Sequence, residues 1–285
     1  MGGARLVRRR RVRVGVIIAG AAALAVPAAA SAALAPVAPQ DIATGDFGYS
    51  FAAAAGPQNQ GAALWTGQNN GPTVSGTIRP AGGPSGPAQT LSFDANAESP
   101  RVLFEPGGGI LGLWSHATST VAGEYAVAPL GGVFSGPRNL PSGDRFADVA
   151  EDGSGRAVAV WKSAGATTNV LMSSRPPGGS FAGTSALMTT PVADAFIQPT
   201  VAANAGGQAL AAWSTISGAG FGVYASLGTT TTLPNAGAPI ATNAADVFSN
   251  PATAIGPTGD AAGRWSESAA PGVYGAFRGP GGALV

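Results

Sequence analysis

The chain has no cysteine among its 285 residues, so neither a disulfide nor a thiolate metal site can support it. It has one histidine, His116, and one lysine, Lys162, and a tenth of its residues are charged. A lone histidine leaves little from which to build a two-histidine metal site or a Ser-His-Asp arrangement. His116 follows Trp114 where one strand gives way to the next, and is expected at the surface. Long amphipathic helices are also missing. Ala, Gly, Pro, Ser and Thr dominate instead, which suits short strands separated by many turns.

The N-terminus differs from the rest. Six arginines lie within residues 5–13, an apolar stretch runs from Val14 to Val26, and Ala30-Ser31-Ala32 offers a small-residue cleavage site. Residues 1–32 therefore read as a secretory signal peptide. The apolar stretch is shorter than the ~20 residues a bilayer span needs, and Pro27 breaks it. Removing residues 1–32 moves the formal charge from +1 to −5, because that segment holds basic residues and no acidic ones. The mature chain has no basic stripe of the kind nucleic acid requires. An extracellular or cell-surface monomer is expected, with no membrane association after cleavage.

What the sequence does have is repetition. Trp65, Trp114, Trp161, Trp213 and Trp265 are the only tryptophans and stand 49, 47, 52 and 52 residues apart. Six residues before them lie Asn59, Gly108, Gly155, Gly207 and Gly259, residue types that accept positive φ in a tight turn. Each unit reads as four short strands, A to D. In the third these are Ala147–Ala150, Ala157–Trp161, Val170–Arg175 and a segment around Ala186–Met188. Four strands in a unit of roughly 50 residues is the pattern of a β-propeller blade. The expected fold is all-β: a five-bladed β-propeller over residues 46–285, preceded by an Ala/Pro-rich segment at 33–45. Within that segment Gln40–Thr44 resembles Pro239–Thr242 and is expected to complete the last blade. On strand B, Trp161 shares a face with Ala159 and Ala157, while Val160 and Val158 face the other way. Each Trp is expected to pack on a neighbouring blade.

An aspartate stands ahead of each strand A: Asp46, Asp94, Asp144, Asp194 and Asp246. In a closed ring these five could approach one mouth of the central channel and bind a polyhydroxy ligand. No cofactor is required, and calcium is the one cation such a ring could take. The competing reading is local, an Asx-turn at the strand entry. Asp152-Gly153-Ser154-Gly155 reads as a turn rather than a calcium loop or an aspartate box. Glu124 or Glu267 could pair with an aspartate as acid and base. The opposite end carries the arginine turns at Arg79, Arg175 and Arg278.

The Pro-x-Val-Ala element at Pro199, the Gly-x-Ala-x-x-x-Trp element ending at Trp161 and the Arg-Pro-x-Gly-Gly element at Arg175 resemble those of exported propeller-type repeat proteins of actinobacteria. Unit length and count are also similar to the five-bladed tachylectin type, without a matching sugar-contact motif. The resemblance implies fold and export. With no catalytic constellation legible, the leading expectation is a secreted non-catalytic binding or scaffold protein that recognises carbohydrate or cell-envelope components. The alternatives are a carbohydrate-active hydrolase or lyase with carboxylates at the channel mouth, and a purely structural surface protein. Unequal, non-repeating polar residues along the channel would favour the enzyme; equivalent sites between blades would favour the lectin.

Overall fold

The computed structural model describes residue 42 and residues 50–285, except 68–72, 95, 117–122, 143–144, 164–166, 191–197, 218–219, 236–238, 244–247, 268–271, 283 and 285. The expected signal peptide and, apart from Ile42, the expected closing strand lie outside the described residues. Among those described, no helix is long and apolar enough to cross a membrane.

The chain forms five separate antiparallel sheets, each a meander in sequence order. The first holds β1 (Phe51–Ala55), β2 (Gly61–Gly67), β3 (Thr73–Arg79) and β4 (Gln89–Ser92). The second holds β5 (Ala97–Phe104), β6 (Ile110–His116), β7 (Glu124–Ala128) and β8 (Arg138–Asn139). The third holds β9 (Arg145–Glu151), β10 (Ala157–Ser163), β11 (Thr168–Arg175) and β12 (Ala182–Thr190). The fourth holds β13 (Thr200–Ala203), β14 (Gln208–Ser217), β15 (Gly220–Thr229) and β16 (Ala241–Asn243). The fifth, among the described residues, has three strands: β17 (Phe248–Ile255), β18 (Ala261–Glu267) and β19 (Gly272–Arg278). Among the described residues, no hydrogen-bonded pairing joins the first sheet to the fifth. The repeated four-stranded sheet is thus established, and closure of the ring is not part of the described structure.

The turn between the first two strands of every sheet has one solution. Asn59, Gly108, Gly155, Gly207 and Gly259 have φ of 63°, 79°, 83°, 82° and 91°. This left-handed region is open to glycine and tolerated by asparagine, and strands of matching register leave both sides.

Packing follows the period-two alternation of the second strand. Ala157, Ala159 and Trp161 are buried with Leu111 and Leu113 of the preceding sheet. Val158 and Val160 face the following sheet, where they meet Val201, Ala209, Ala211 and Trp213. Trp114 likewise packs on Ala62, Leu64 and Val74, and Trp265 on Val223. All five tryptophans are buried, which removes them as sugar-stacking surfaces. The first strand of each sheet lies against the first and second strands of the sheet before it, so β5, β9, β13 and β17 run side by side.

At the end of the sheets carrying the tight turns, each sheet is also tied to the next at the position nine residues before its tryptophan, and the tie differs every time. Gly56 packs under the Phe104 ring, where any β-carbon would clash. Glu105 pairs with Arg175 at 2.5 Å. Asp152 accepts hydrogen bonds from Ser154 N, Ser154 Oγ and Arg156 N through Oδ1, and one from Thr230 Oγ1 at 2.5 Å through Oδ2. The Asp152 to Gly155 segment is therefore a turn, as its sequence implied. Asn204 Nδ2 donates to the Gly256 carbonyl at 2.8 Å. Arg79 and Arg175 also clip their own turns, donating from Nε to the carbonyls of Gly83 and Gly179.

Glu151 sits in this end of the third sheet with both carboxylate oxygens buried and unpartnered among the described residues. Burial, joined by the charges of Glu105 and Asp152 against the opposing Arg175, pushes its carboxyl up to about 7. The folded chain therefore keeps a proton that the unfolded chain loses from about pH 4.5 upward, and stability falls as pH rises from there to about 7. Glu151→Gln, which mimics the protonated side chain, is expected to raise the melting temperature well above pH 7 and to leave it unchanged at or below pH 4.5, measured by thermal denaturation across that range.

Candidate active site

The opposite end of the sheets gathers a different set of groups. Strand β6 continues two residues past Trp114, pairing His116 with Ala97 of β5. Residues i and i+2 share a strand face, so the imidazole lies beside the Trp114 ring and not in a loop. His116 is 1% exposed. The expectation of a surface histidine is thereby corrected.

Across the hairpin Trp114 pairs with Glu124 on β7, and Glu124 Oε2 collects three donors. They are Trp114 Nε1 at 2.9 Å, Ser92 Oγ at 2.8 Å and His116 Nε2 at 3.2 Å. Burial pushes the Glu124 carboxyl up, but the hydrogen bonds from His116, Trp114 and Ser92, with the His116 charge, outweigh it and hold it below the usual range. On the other side of the ring Asp94 Oδ2 lies 3.3 Å from His116 Nδ1, without hydrogen-bond alignment. Asp94 Oδ1 accepts from Asn96 N at 3.0 Å and Asn96 Nδ2 at 3.3 Å. Asp94 thus combines the Asx-turn role with a contact to the histidine. Asp46, Asp144, Asp194 and Asp246 lie outside the described residues.

Glu98 lies near this end of β5 and is half-buried. Burial pushes its carboxyl up, against the lowering charges of Arg145 and His116. It therefore holds its proton to higher pH than a free glutamate, as a general acid requires. The next residue, Ser99, has φ of 52°, a left-handed conformation rare for serine. It accompanies a bulge between Glu98 and Arg101.

Ser99 and Arg101 open onto a polar cleft of about 230 Å³ that crosses the first strands of four sheets, lined also by Ala147, Gln198, Thr200, Pro251 and Arg264. Arg101 Nε donates to Asp148 Oδ1 at 2.8 Å. Asp148 Oδ2 accepts from Thr200 Oγ1 at 2.9 Å and Val201 N at 3.0 Å. Arg101, Asp148 and Thr200 occupy one repeat position, thirteen residues before the tryptophan, where the first and fifth units have Ala52 and Ala252. One site in the repeat has thus been made into three different polar residues that hold one another. Arg264 breaks the pattern in the same way. The residue before the tryptophan is Leu64, Leu113, Val160 or Ala212 elsewhere and buried in each case, whereas Arg264 is exposed. By contrast, an apolar groove of about 250 Å³ at the tight-turn end, between the first two sheets, has no ionisable lining residue.

The sequence reading placed chemistry on the five aspartates and passed over Glu98, Arg101, Asp148 and Arg264. The signal that could have found the last three was present as departures from the repeat. Glu98 became visible only through its burial. Glu267, the other glutamate considered, lies on β18.

No family model matches the chain, and no curated protein matches it. Among solved structures it is similar to the polysaccharide lyase Uly1, at 10% identity and a TM-score of 0.53, covering 89% of this chain and 76% of the lyase. It is also similar to a polysaccharide lyase of family PL25, an ulvan lyase bound to -[GlcA(1-4)Rha3S]-, at 10% identity and a TM-score of 0.52, covering 81% and 69%. An endo-arabinase from Bacteroides thetaiotaomicron VPI-5482 aligns at 10% identity and a TM-score of 0.45, covering 76% and 88%. The chain shares its fold of repeated antiparallel sheets with propeller-type carbohydrate-active proteins. The expectation of a non-catalytic binding or scaffold protein is overturned by these comparisons. Its basis was that no acid–base constellation was legible in the repeats, with the histidine taken to be at the surface.

Because the folded Glu124 carboxyl titrates below its ordinary range, its stabilisation is present above the unfolded pKa of about 4.5 and is lost as pH falls through the folded value. Glu124→Gln is expected to destabilise the protein by about 1–3 kcal/mol near neutrality. Urea denaturation should show that difference shrinking in acid.

Proposed function

We propose that the protein is an exported carbohydrate-active enzyme, a hydrolase or lyase, that cleaves a polysaccharide at the cleft between β5, β9, β13 and β17. The observation that carries this reading is the unequal polar set Arg101, Asp148 and Thr200, with Glu98 three residues before Arg101 on the same strand, since equivalent binding sites would repeat and these do not. Hydrolysis and β-elimination share one demand, a proton for the departing glycosidic oxygen. Glu98 supplies it. His116 and Glu124 act as positioning residues that fix the end of the hairpin on which Glu98 is paired. The aspartates ahead of the first strands, Asp94 among them, belong in this proposal to the rim of the cleft. The fold likeness to polysaccharide lyases supports the reading without deciding between the two reactions. Screening polysaccharides for new reducing ends, and for the ultraviolet absorbance of unsaturated products, tests it. Glu98→Gln is expected to lower kcat by roughly a hundred- to ten-thousand-fold, with a melting temperature no lower than the parent's. The activity of the parent should decline as pH rises through the titration of Glu98. No turnover of any polysaccharide by folded protein would refute the proposal.

The same proposal takes the sheets as a closed five-bladed ring, with residues 40–44 completing the fifth sheet. The open face of the first sheet presents Ala53 beside Ala54 and Ala63, and that of the fifth presents Ala262 beside Ala254 and Phe277. These are the two halves of the interface repeated between the other sheets. In this cysteine-free chain, Ala53→Cys with Ala262→Cys is expected to cross-link within one monomer by a short bis-maleimide. Cross-linked dimers, or none, would show that the two faces do not meet.

A further inference from the structure

Resting on the reading above, we infer that the polar cleft is a subsite for an anionic group of the glycan, a uronate carboxylate or a sulfate ester, bound by Arg264 and Arg101. Two guanidiniums line the cleft with Ser99, Gln198 and Thr200. Asp148, only 15% exposed, is committed on both oxygens, so it fixes Arg101 and leaves Arg264 as the uncompensated charge among the described lining residues. Arg101 uses Nε on Asp148 and Nη1 on the Pro100 carbonyl, and its side chain remains 47% exposed to the cleft. Arg264 has no hydrogen bond or ion pair among the described residues, and it stands where the other sheets bury an aliphatic side chain. A guanidinium offers paired donors that match a planar carboxylate or two sulfate oxygens, which gives this site its selectivity over a neutral hydroxyl.

Isothermal titration of the full chain with polygalacturonate oligomers, dextran sulfate and neutral dextran tests this assignment. The expected result is binding to one or both anionic glycans, weakened by added salt, and none to dextran. The first two arms separate the carboxylate from the sulfate. Arg264→Ala is expected to weaken binding about tenfold or more and Arg264→Lys to retain part of it, with circular dichroism showing both variants folded. Equal binding to dextran, or binding unaffected by Arg264→Ala, would overturn the subsite. Anion binding without turnover would refute the proposed enzyme and leave the subsite standing. Turnover of neutral glycans alone would do the reverse.

Discussion

From the second sheet onward, each tryptophan leans on the sheet before its own, and this single contact sets the terms for the rest of the molecule. A four-stranded sheet of this size has two faces and too little material to cover either. The indole fits over the small residues of its own strand, such as Ala157 and Ala159 beneath Trp161, and fills the space left by aliphatic residues of the neighbour. The opposite face of the same strand offers Val158 and Val160 to the next tryptophan. The second, third and fourth sheets are therefore each giver and receiver, and with few charges and no disulfides the chain relies on this stacking for its cohesion.

Stacking also explains where chemistry can sit. The second strands of the three middle sheets are buried on both faces by the packing and have little freedom to vary. The first strands adjoin one another along the cleft and need only be compatible. Arg101, Asp148 and Thr200 could therefore diverge at one repeat position without disturbing the core, and they diverged into mutual partners. The hairpin that carries Trp114 extends far enough to bury His116 against Glu124 and Asp94, joining the structural tryptophan to the polar end of the site through one carboxylate oxygen.

Much of the fold was legible because its determinants are local. Positive φ at Asn59, Gly108, Gly155, Gly207 and Gly259 is written in residue type, and the alternation around Trp161 gave both faces of the strand. The site was harder to read, for a physical reason. His116 looked exposed because strand length beyond Trp114 depends on pairing with β5, which no local pattern states. Glu98 has no motif; its significance comes from burial by residues distant in sequence. The aspartates were attractive because they repeat, yet Asp94 shows how a repeating residue can serve its own turn. Departures from the repeat, at Arg101, Asp148 and Arg264, carried more information about function than the repeat itself.

The ties at the tight-turn end have a bearing on how such a chain finds its own order. Five similar units joined in one polypeptide risk docking out of sequence during folding, since each tryptophan would accept any aliphatic neighbour. Gly56 requires the ring of Phe104, Glu105 the guanidinium of Arg175, Asp152 the hydroxyl of Thr230, and Asn204 a backbone carbonyl at Gly256. Put Glu105 opposite Thr230, or Asp152 opposite Phe104, and a carboxylate is left buried without its partner. The hydrophobic contacts make the sheets adhere, and these four unlike contacts act as an address system that gives each sheet one correct neighbour.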